Sequence, residues 1–211
     1  DEHTSRGLGD VYKRQSTMIT KDHIVFLSKS DKILKKIIEN NKIPMISKSK
    51  DFVLDLYKYI IFQQISTKAG NSVFKRFLEY YEKNKGNISI WNENEWKNIG
   101  LSHQKKGYIE NIYHTRQTIY DLEKSNDINN IRDQLIKIKG IGNWTIDMFL
   151  IFSKGYLDIF PEGDLALINV IKNKYQVDSM KQILEISKKW APYKTVATLY
   201  LWESLDDDFP N

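Results

Sequence analysis

The sequence predicts an all-α fold, and two observations carry that prediction. From residue 30 onward, apolar residues recur at the three- and four-residue spacing of helices that bury one face. No segment alternates convincingly between apolar and polar residues, which is the pattern of a half-buried strand. The chain has 211 residues, of which 41% are hydrophobic, so it is long and apolar enough to bury a core.

Capping residues stand before several of the apolar runs and set where the predicted helices begin. Ser30, Ser66 and Ser102 each occupy the position of an N-cap. Pro192 suits a first helical turn, because its missing N–H would have no partner there in any case. In chain order the predicted helices cover residues 30–40, 51–62, 66–83, 92–98, 102–123, 127–137, 143–153, 164–173, 179–190 and 192–205.

The first fifteen residues differ from the rest of the chain. Asp10–Gln15 can be back-translated into a sequence that resembles a sequencing-library adapter. Residues 1–15 are therefore interpreted as a non-native segment with the true start near Met18, and a natural disordered tail is the alternative. We expect residues 16–50 to form an N-terminal helical extension and residues 51–206 to form the main domain, with a hairpin at 135–152.

Composition limits the partners and the compartment. A formal net charge of +5 and a pI near 9.1 favour a polyanionic partner. The lack of cysteine excludes disulfides, thiolate zinc sites, a cysteine-ligated iron–sulfur cluster and a catalytic thiol. No apolar stretch reaches the roughly 18 to 20 residues that cross a membrane, and the N-terminus has no apolar signal core. We therefore expect a cytoplasmic protein with no membrane partner.

The stretch LIKIKGIGNWTIDMFLIF, residues 135–152, places two glycines between two apolar runs. Glycine allows positive φ and close approach of another backbone. The N–H groups that open the next helix then point outward and form a main-chain phosphate site. The candidate phosphate-binding residues are Lys139, Gly140, Gly142, Asn143 and Thr145. The alternative is a tight helical turn in which glycine serves only as a C-cap.

Five ordered motifs resemble those of the helix-hairpin-helix (HhH-GPD) superfamily of DNA glycosylases, and most closely its alkylated-purine members. They are the hairpin itself, FQQISTKAG at 62–70, GLSHQKKGYIENI at 100–112, LDIFPEGDLAL at 157–167 and WAPYKTVATLYLW at 190–202. The resemblance covers roughly residues 50–205. It implies a two-lobed helical fold with the active site in the cleft between the lobes, and removal of alkylated purines such as 3-methyladenine from duplex DNA.

Three features depart from the family pattern. Asn143 stands where proline is common, and Ile146 replaces the usual alanine. The β-rich N-terminal domain of some members does not fit before residue 50.

The resemblance implies that Asp164 is the catalytic carboxylate. Breaking an N-glycosidic bond puts positive charge on the sugar, and a carboxylate beside the sugar stabilises that charge or activates a water molecule. The alternative is that Asp164 only caps the helix that begins at Leu165. Asp158, Glu162 and Asp147 are rival carboxylates, although Asp147 lies inside the apolar helix and could bond to backbone.

The resemblance also implies a base pocket formed by Trp144, Met148 and Trp202, with core packing as the alternative for both tryptophans. Trp144 stands where strand-cutting relatives carry a Schiff-base lysine, so the resemblance implies a purely hydrolytic enzyme without AP-lyase activity. An aromatic face also attracts a cationic alkylated base. Gln64 is implied to fill the gap left by the flipped base, unless it lies in an ordinary connecting loop.

We expect no cofactor and no side-chain metal site, although a monovalent cation on the carbonyls near Ile136, Ile138 and Gly140 is compatible with the resemblance. Lys105 and Lys106 are interpreted as phosphate contacts or solvated surface. The expected partner is double-stranded DNA containing alkylated bases, bound by a monomer in the bacterial cytoplasm. Two alternatives stay open: a glycosylase for oxidised or deaminated bases, and a non-catalytic helix-hairpin-helix DNA-binding protein.

Overall fold

The computed structural model describes residues 16–17, 19–47 and 49–205. Within these ranges the all-α prediction is confirmed. One antiparallel pair of two-residue strands departs from it, β1 (Ser16–Thr17) with β2 (Ile46–Ser47). Strands of two residues are too short to show an alternating pattern, which is why the sequence did not predict them. Residues 1–15 and the suspected start at Met18 lie outside the described residues.

The helices occur in the following order along the chain. They are α1 (Lys21–Ser30), α2 (Lys32–Asn40), α3 (Phe52–Phe62), α4 (Thr67–Lys83), α5 (Glu93–Ile99), α6 (His103–His114), α7 (Arg116–Glu123), α8 (Ile128–Leu135), α9 (Asn143–Met148), α10 (Leu165–Tyr175), α11 (Met180–Lys188) and α12 (Lys194–Glu203). A short 3₁₀ helix covers Ile88–Ile90, and α9 continues into a π-helical segment, Phe149–Ser153.

Two of the three predicted serine caps are confirmed. Ser66 accepts a hydrogen bond from the N–H of Ala69 at the start of α4, and Ser102 accepts one from Lys105 at the start of α6. The prediction for Ser30 is wrong, because Ser30 ends α1 and donates its hydroxyl to the carbonyl of Phe26. Asp31 caps α2 instead.

Three further boundaries differ from the prediction. Helix α1 was not predicted, because Leu27 is its only buried residue and its sequence therefore has no clear apolar stripe. The helix expected over 102–123 divides at Thr115, whose hydroxyl bonds back to the carbonyl of Asn111. Pro192, which follows a cis peptide bond with Ala191, lies two residues before α12 begins and therefore does not occupy its first turn.

The described chain divides into two compact units. The first contains the described residues up to Lys50 together with Ile151–Ser204, so the expected extension at 16–50 shares a unit with α10, α11 and α12. Buried Asp31 ties these distant segments together: one oxygen caps α2, and the other accepts hydrogen bonds from the Tyr175 hydroxyl at 2.8 Å and the Trp190 indole at 2.9 Å.

The second unit contains Asp51–Leu150, and α3 is its central helix. Most of α3 is buried, and it packs against α4, α6, α7 and α9. Its aromatic side chains meet others edge to face: Tyr57 contacts Phe77, and Phe52 contacts Phe149. Among the described residues, no helix has both the length and the apolarity that crossing a membrane requires.

Candidate active site

The hairpin between α8 and α9 uses its two glycines in different ways. Gly140 has a φ of +106°, and a Cβ built there would lie 2.3 Å from Cγ of Tyr108. Only glycine fits that position, because a side chain would be both strained and blocked. Gly142 has a φ of −106° and a ψ of 178°, so only Gly140 uses the positive φ that glycine allows. A Cβ at Gly142 would meet nothing within 4 Å.

Open space at Gly142 lies directly before a helix N-terminus. The first hydrogen bond of α9 runs from the N–H of Ile146 to the carbonyl of Gly142, so the N–H groups of residues 143–145 precede the intrahelical ladder. Lys139 and Asn143 are exposed beside them. Thr145 is buried, and its hydroxyl accepts a hydrogen bond from the Gln63 side chain at 2.9 Å. Of the predicted residues, Thr145 could therefore reach a phosphate only through its main chain.

Two of the three carbonyls considered for a cation already accept hydrogen bonds. The Gly140 carbonyl accepts one from the Gln63 side chain at 3.1 Å, and the Ile138 carbonyl accepts one from the N–H of Ile141 at 3.0 Å. No group of three or more histidine, aspartate or glutamate side chains is arranged for a metal ion within the described part of the chain.

Gln64 lies at the tip of the loop between α3 and α4. Its φ of +56° places a non-glycine residue in the left-handed region, and its side chain is exposed. Ile65 beside it is 40% exposed. The Lys105 ammonium donates to the carbonyls of Ile61 at 2.7 Å and Gln63 at 2.8 Å. Two donors of the Lys105 ammonium are therefore bound to the end of α3, so Lys105 is not simply solvated surface, and its interpretation as a phosphate contact stays a prediction.

Trp144 and Met148 lie one turn apart on α9. Trp144 is half-buried, whereas Met148 is only 3% exposed. Asp147, between them, forms an ion pair with Arg132 of α8 at 2.6 Å. The pair joins the two helices of the hairpin and gives Asp147 a cationic partner.

Asp164 caps α10, as the structural interpretation expected. One carboxylate oxygen accepts the N–H of Leu167 at 2.7 Å and lies 3.3 Å from the indole nitrogen of Trp202. Trp202 is 1% exposed and stacks on Phe152, with the ring planes 16° apart. The first turn of α10 and the Trp202 indole thus hold the carboxylate in one orientation. Asp164 is itself buried, with 7% of its surface exposed.

The rival carboxylates near Asp164 are placed differently. Asp158 is exposed and pairs with Lys194, accepting from its main-chain N–H at 3.3 Å. Glu162 is exposed. The side chain that follows Asp164, Leu165, is 78% exposed, which is unusual for leucine. Asp164 and Trp202 belong to the first unit, and the hairpin, Trp144, Met148 and Gln64 belong to the second.

Sequence reasoning missed the residues that support the hairpin and the Gln64 loop. Gln63 joins the loop to the hairpin, Tyr108 packs beneath Gly140, and the Asn111 amide donates to the Lys139 carbonyl at 3.1 Å. All three lie inside the quoted motifs. The signal for them was the concentration of polar and aromatic side chains in those motifs, but their partners are set by tertiary structure.

Comparisons with known proteins find relatives that match most of the chain. The chain is 28% identical over 197 residues to DNA-3-methyladenine glycosylase 1 of Schizosaccharomyces pombe, covering 86% of this chain and 85% of the relative. The Bacillus subtilis protein YfjP is 29% identical over 167 residues, and the chain spans only 58% of its length. No protein-family model matches.

A solved structure is also similar. It is the Schizosaccharomyces pombe 3-methyladenine DNA glycosylase Mag1 in complex with abasic DNA, with a TM-score of 0.76 and 26% sequence identity. The similarity covers 86% of this chain and 95% of that one.

Proposed function

We propose that this chain, which belongs to the helix-hairpin-helix superfamily of DNA glycosylases, hydrolyses the N-glycosidic bond of alkylated purines in duplex DNA and leaves an abasic site. The observation that carries the proposal is the carboxylate of Asp164, oriented by the first turn of α10 and by Trp202. The 3-methyladenine activity named for the relatives supports the choice of substrate.

Asp164 supplies the charge that the reaction requires. The bond between C1′ of the sugar and the base nitrogen breaks, and its electron pair leaves with the base. Positive charge then develops on the sugar, and a carboxylate beside it stabilises that charge. The oxygen of a water molecule bonds to C1′, and the carboxylate accepts the proton that the water loses. A carboxylate held in advance needs no reorientation at the moment of reaction.

An alkylated purine suits this chemistry because it is a good leaving group. Alkylation makes the ring electron-poor or cationic, so the bond to the sugar is already weakened. A cationic ring is also attracted to an aromatic face, and half-buried Trp144 offers one. Met148 lies buried one turn further along α9. In the proposed reaction Trp202 mainly orients Asp164, because almost none of the Trp202 side chain is exposed.

The rest of the proposed site handles the duplex. The target base must leave the helical stack to be reached, and the exposed Gln64 fills the gap that it leaves. The hairpin binds a phosphate through the N–H groups ahead of α9, with Lys139 adding charge beside them. Such contacts are independent of sequence, as a repair enzyme requires.

We infer that the enzyme acts as a monomer and removes the base without cutting the strand. Tryptophan at position 144 has no amine that could form a Schiff base with the sugar. The abasic product would then be passed on intact to an enzyme that cleaves the strand.

A panel of defined lesions tests the proposal. Duplexes containing alkylated purines, hypoxanthine or 8-oxoguanine, together with methylated genomic DNA, are incubated with the protein, and released bases are separated by chromatography. We expect release of 3-methyladenine and no release of 8-oxoguanine. Asp164→Asn is the control: it should lower single-turnover release by on the order of 10² or more while DNA binding persists. Release of only oxidised or deaminated bases would overturn the substrate assignment.

A further inference from the structure

The loop that carries Gln64 is short and conformationally demanding. It joins the end of α3 at Phe62 to the start of α4 at Thr67. Gln64 adopts φ +56°, which is unfavourable for a residue with a Cβ and persists only when the surroundings enforce it. The structure therefore has to contain contacts that fix this loop from outside.

Two side chains supply those contacts from different directions. Lys105, from α6, donates to the carbonyls of Ile61 and Gln63, which belong to the C-terminal end of α3. Gln63 donates its amide to the Gly140 carbonyl and to the Thr145 hydroxyl of the hairpin. Gln63, which immediately precedes Gln64, is thus held at two points. Lys105 binds its main-chain carbonyl, and the hairpin binds its side-chain amide.

The helix that carries Lys105 also supports the hairpin. Tyr108 lies against Gly140, and the Asn111 amide donates to the Lys139 carbonyl at 3.1 Å. These residues and Lys105 lie on successive turns of α6. The loop, the hairpin and α6 therefore contact one another pairwise, and a displacement of one is opposed by the other two.

We propose that Lys105 is a positioning residue that sets Gln64 for insertion into the duplex, and that Gln63 carries the same restraint to the phosphate-binding hairpin. This inference rests on the proposed function, because it assigns Lys105 a part in opening the duplex. A cation at the C-terminal end of α3 meets the negative end of the helix dipole and replaces the water that would otherwise bind these carbonyls.

The neighbouring lysine provides a contrast. Lys106 forms ion pairs with Glu93 and Glu110 and lies 5.5 Å from the centre of the Trp96 ring. Both lysines carry the same charge and lie on the same helix, but only Lys105 reaches the Gln64 loop. Lys105 is also partly buried, and that burial lowers its pKa, as expected for an ammonium used inside the structure.

The test is a double-mutant cycle on a duplex that needs no chemistry. The duplex contains a tetrahydrofuran abasic analogue with 2-aminopurine as the neighbouring base, whose fluorescence rises when insertion unstacks it. The variants are Lys105→Met, Gln64→Ala and their combination, with Lys106→Met as the matched control. Lys105→Met keeps the apolar stem and removes the donors, and unfolding measurements confirm that each variant is folded.

We expect Lys105→Met to lower the fluorescence change about tenfold in the wild-type background and to have no further effect once Gln64 is alanine. Lys106→Met should act equally in both backgrounds. Gln63→Leu, which removes the second anchor, should reproduce the Gln64-dependent loss. An equal effect of Lys105→Met in both backgrounds overturns the inference, as does a loss seen only as weaker, less salt-dependent binding, which would make Lys105 a phosphate contact.

This outcome is separable from the proposed reaction. If the protein releases no base from any duplex but Lys105 and Gln64 remain coupled on the abasic analogue, the proposed reaction fails and the positioning role stands. If alkylated bases are released and the coupling is absent, the reaction stands and Lys105 has no positioning role.

Discussion

The substitution Gly142→Ala tests whether the hairpin binds phosphate or only connects two helices. Gly142 has φ −106° and ψ 178°, which any residue adopts, and a Cβ there meets no atom within 4 Å. Alanine is a poorer N-cap than glycine by up to about 1 kcal/mol, and restricting the unfolded chain offsets this by about 0.4–1 kcal/mol. We therefore expect the free energy of unfolding to change by less than about 1 kcal/mol.

The same methyl group should weaken DNA binding. Gly142 is the N-cap of α9, and the side chain of an N-cap residue lies over the N–H groups that open its helix, where the proposed phosphate would lie. A hydrogen bond from a main-chain N–H to a phosphate is charge-assisted, and losing one costs about 1.5–3 kcal/mol, or roughly a 10- to 150-fold loss of affinity. Because phosphates are the same in every duplex, damaged and undamaged DNA should lose affinity equally. Fluorescence anisotropy over a range of salt concentrations measures both affinities.

Gly140→Ala is the opposing control. Gly140 has φ +106°, and its added Cβ would lie 2.3 Å from Cγ of Tyr108. The backbone conformation costs about 1–2 kcal/mol and overpacking about 1–3 kcal/mol, so the free energy of unfolding should fall by roughly 2–5 kcal/mol. If Gly140→Ala is destabilised as expected while Gly142→Ala binds both duplexes like the wild type, the hairpin is only a structural turn and the phosphate assignment is wrong.

Three other expectations follow from the site. Trp202→Phe keeps an aromatic ring beside Phe152 but removes the indole donor from Asp164, so single-turnover excision should fall about tenfold with unchanged binding to an abasic analogue; unchanged excision would contradict the positioning of Asp164. Because Trp144 offers no amine, borohydride should trap no covalent protein–DNA adduct, and a trapped adduct would reveal lyase chemistry. Burial lowers the pKa of Lys105, so the folded protein releases this proton at lower pH than the unfolded chain does. The free energy of unfolding of the wild type, relative to that of Lys105→Met, should therefore rise with pH up to about 10.5. Urea unfolding measures this difference, and a difference that stays constant with pH would refute the expectation.

Local sequence patterns predicted the helices and most of the residues at which they begin, because a cap and an apolar stripe depend on residues close together in sequence. They failed where a partner lies far along the chain. Asp31, for example, bonds to Tyr175 and Trp190, which are 144 and 159 residues away, and no local pattern in the sequence indicates either contact. A buried aspartate with two such partners looks, in sequence, like any helix cap.

The candidate site shows the same division. The five motifs identified the segments, but not which side chain of each motif points inward. Lys105 and Lys106 are adjacent residues of the same type. Because they lie on different faces of α6, one contacts the Gln64 loop and the other contacts Glu93. Likewise, two glycines separated by one residue do not reveal which of them needs positive φ; Tyr108, packed beneath Gly140, decides that.

The two sequence-based interpretations of Asp164, helix cap and catalytic carboxylate, describe one geometry, and a pair of substitutions can separate them. As an N-cap its side chain is fixed by the bond to the N–H of Leu167, so the carboxylate reaches the reaction already oriented. Serine caps a helix about as well as aspartate but carries no charge. Asp164→Ser and Asp164→Ala both remove the carboxylate oxygen beside the Trp202 indole, but only serine keeps the cap. Asp164→Ser should therefore be more stable than Asp164→Ala by about 0.5–2 kcal/mol, while both should lower excision by on the order of 10² or more. Urea unfolding and single-turnover excision on alkylated DNA measure the two quantities independently. If Asp164→Ser excises alkylated purines at nearly the wild-type rate, Asp164 is a cap alone and the reacting carboxylate is another residue.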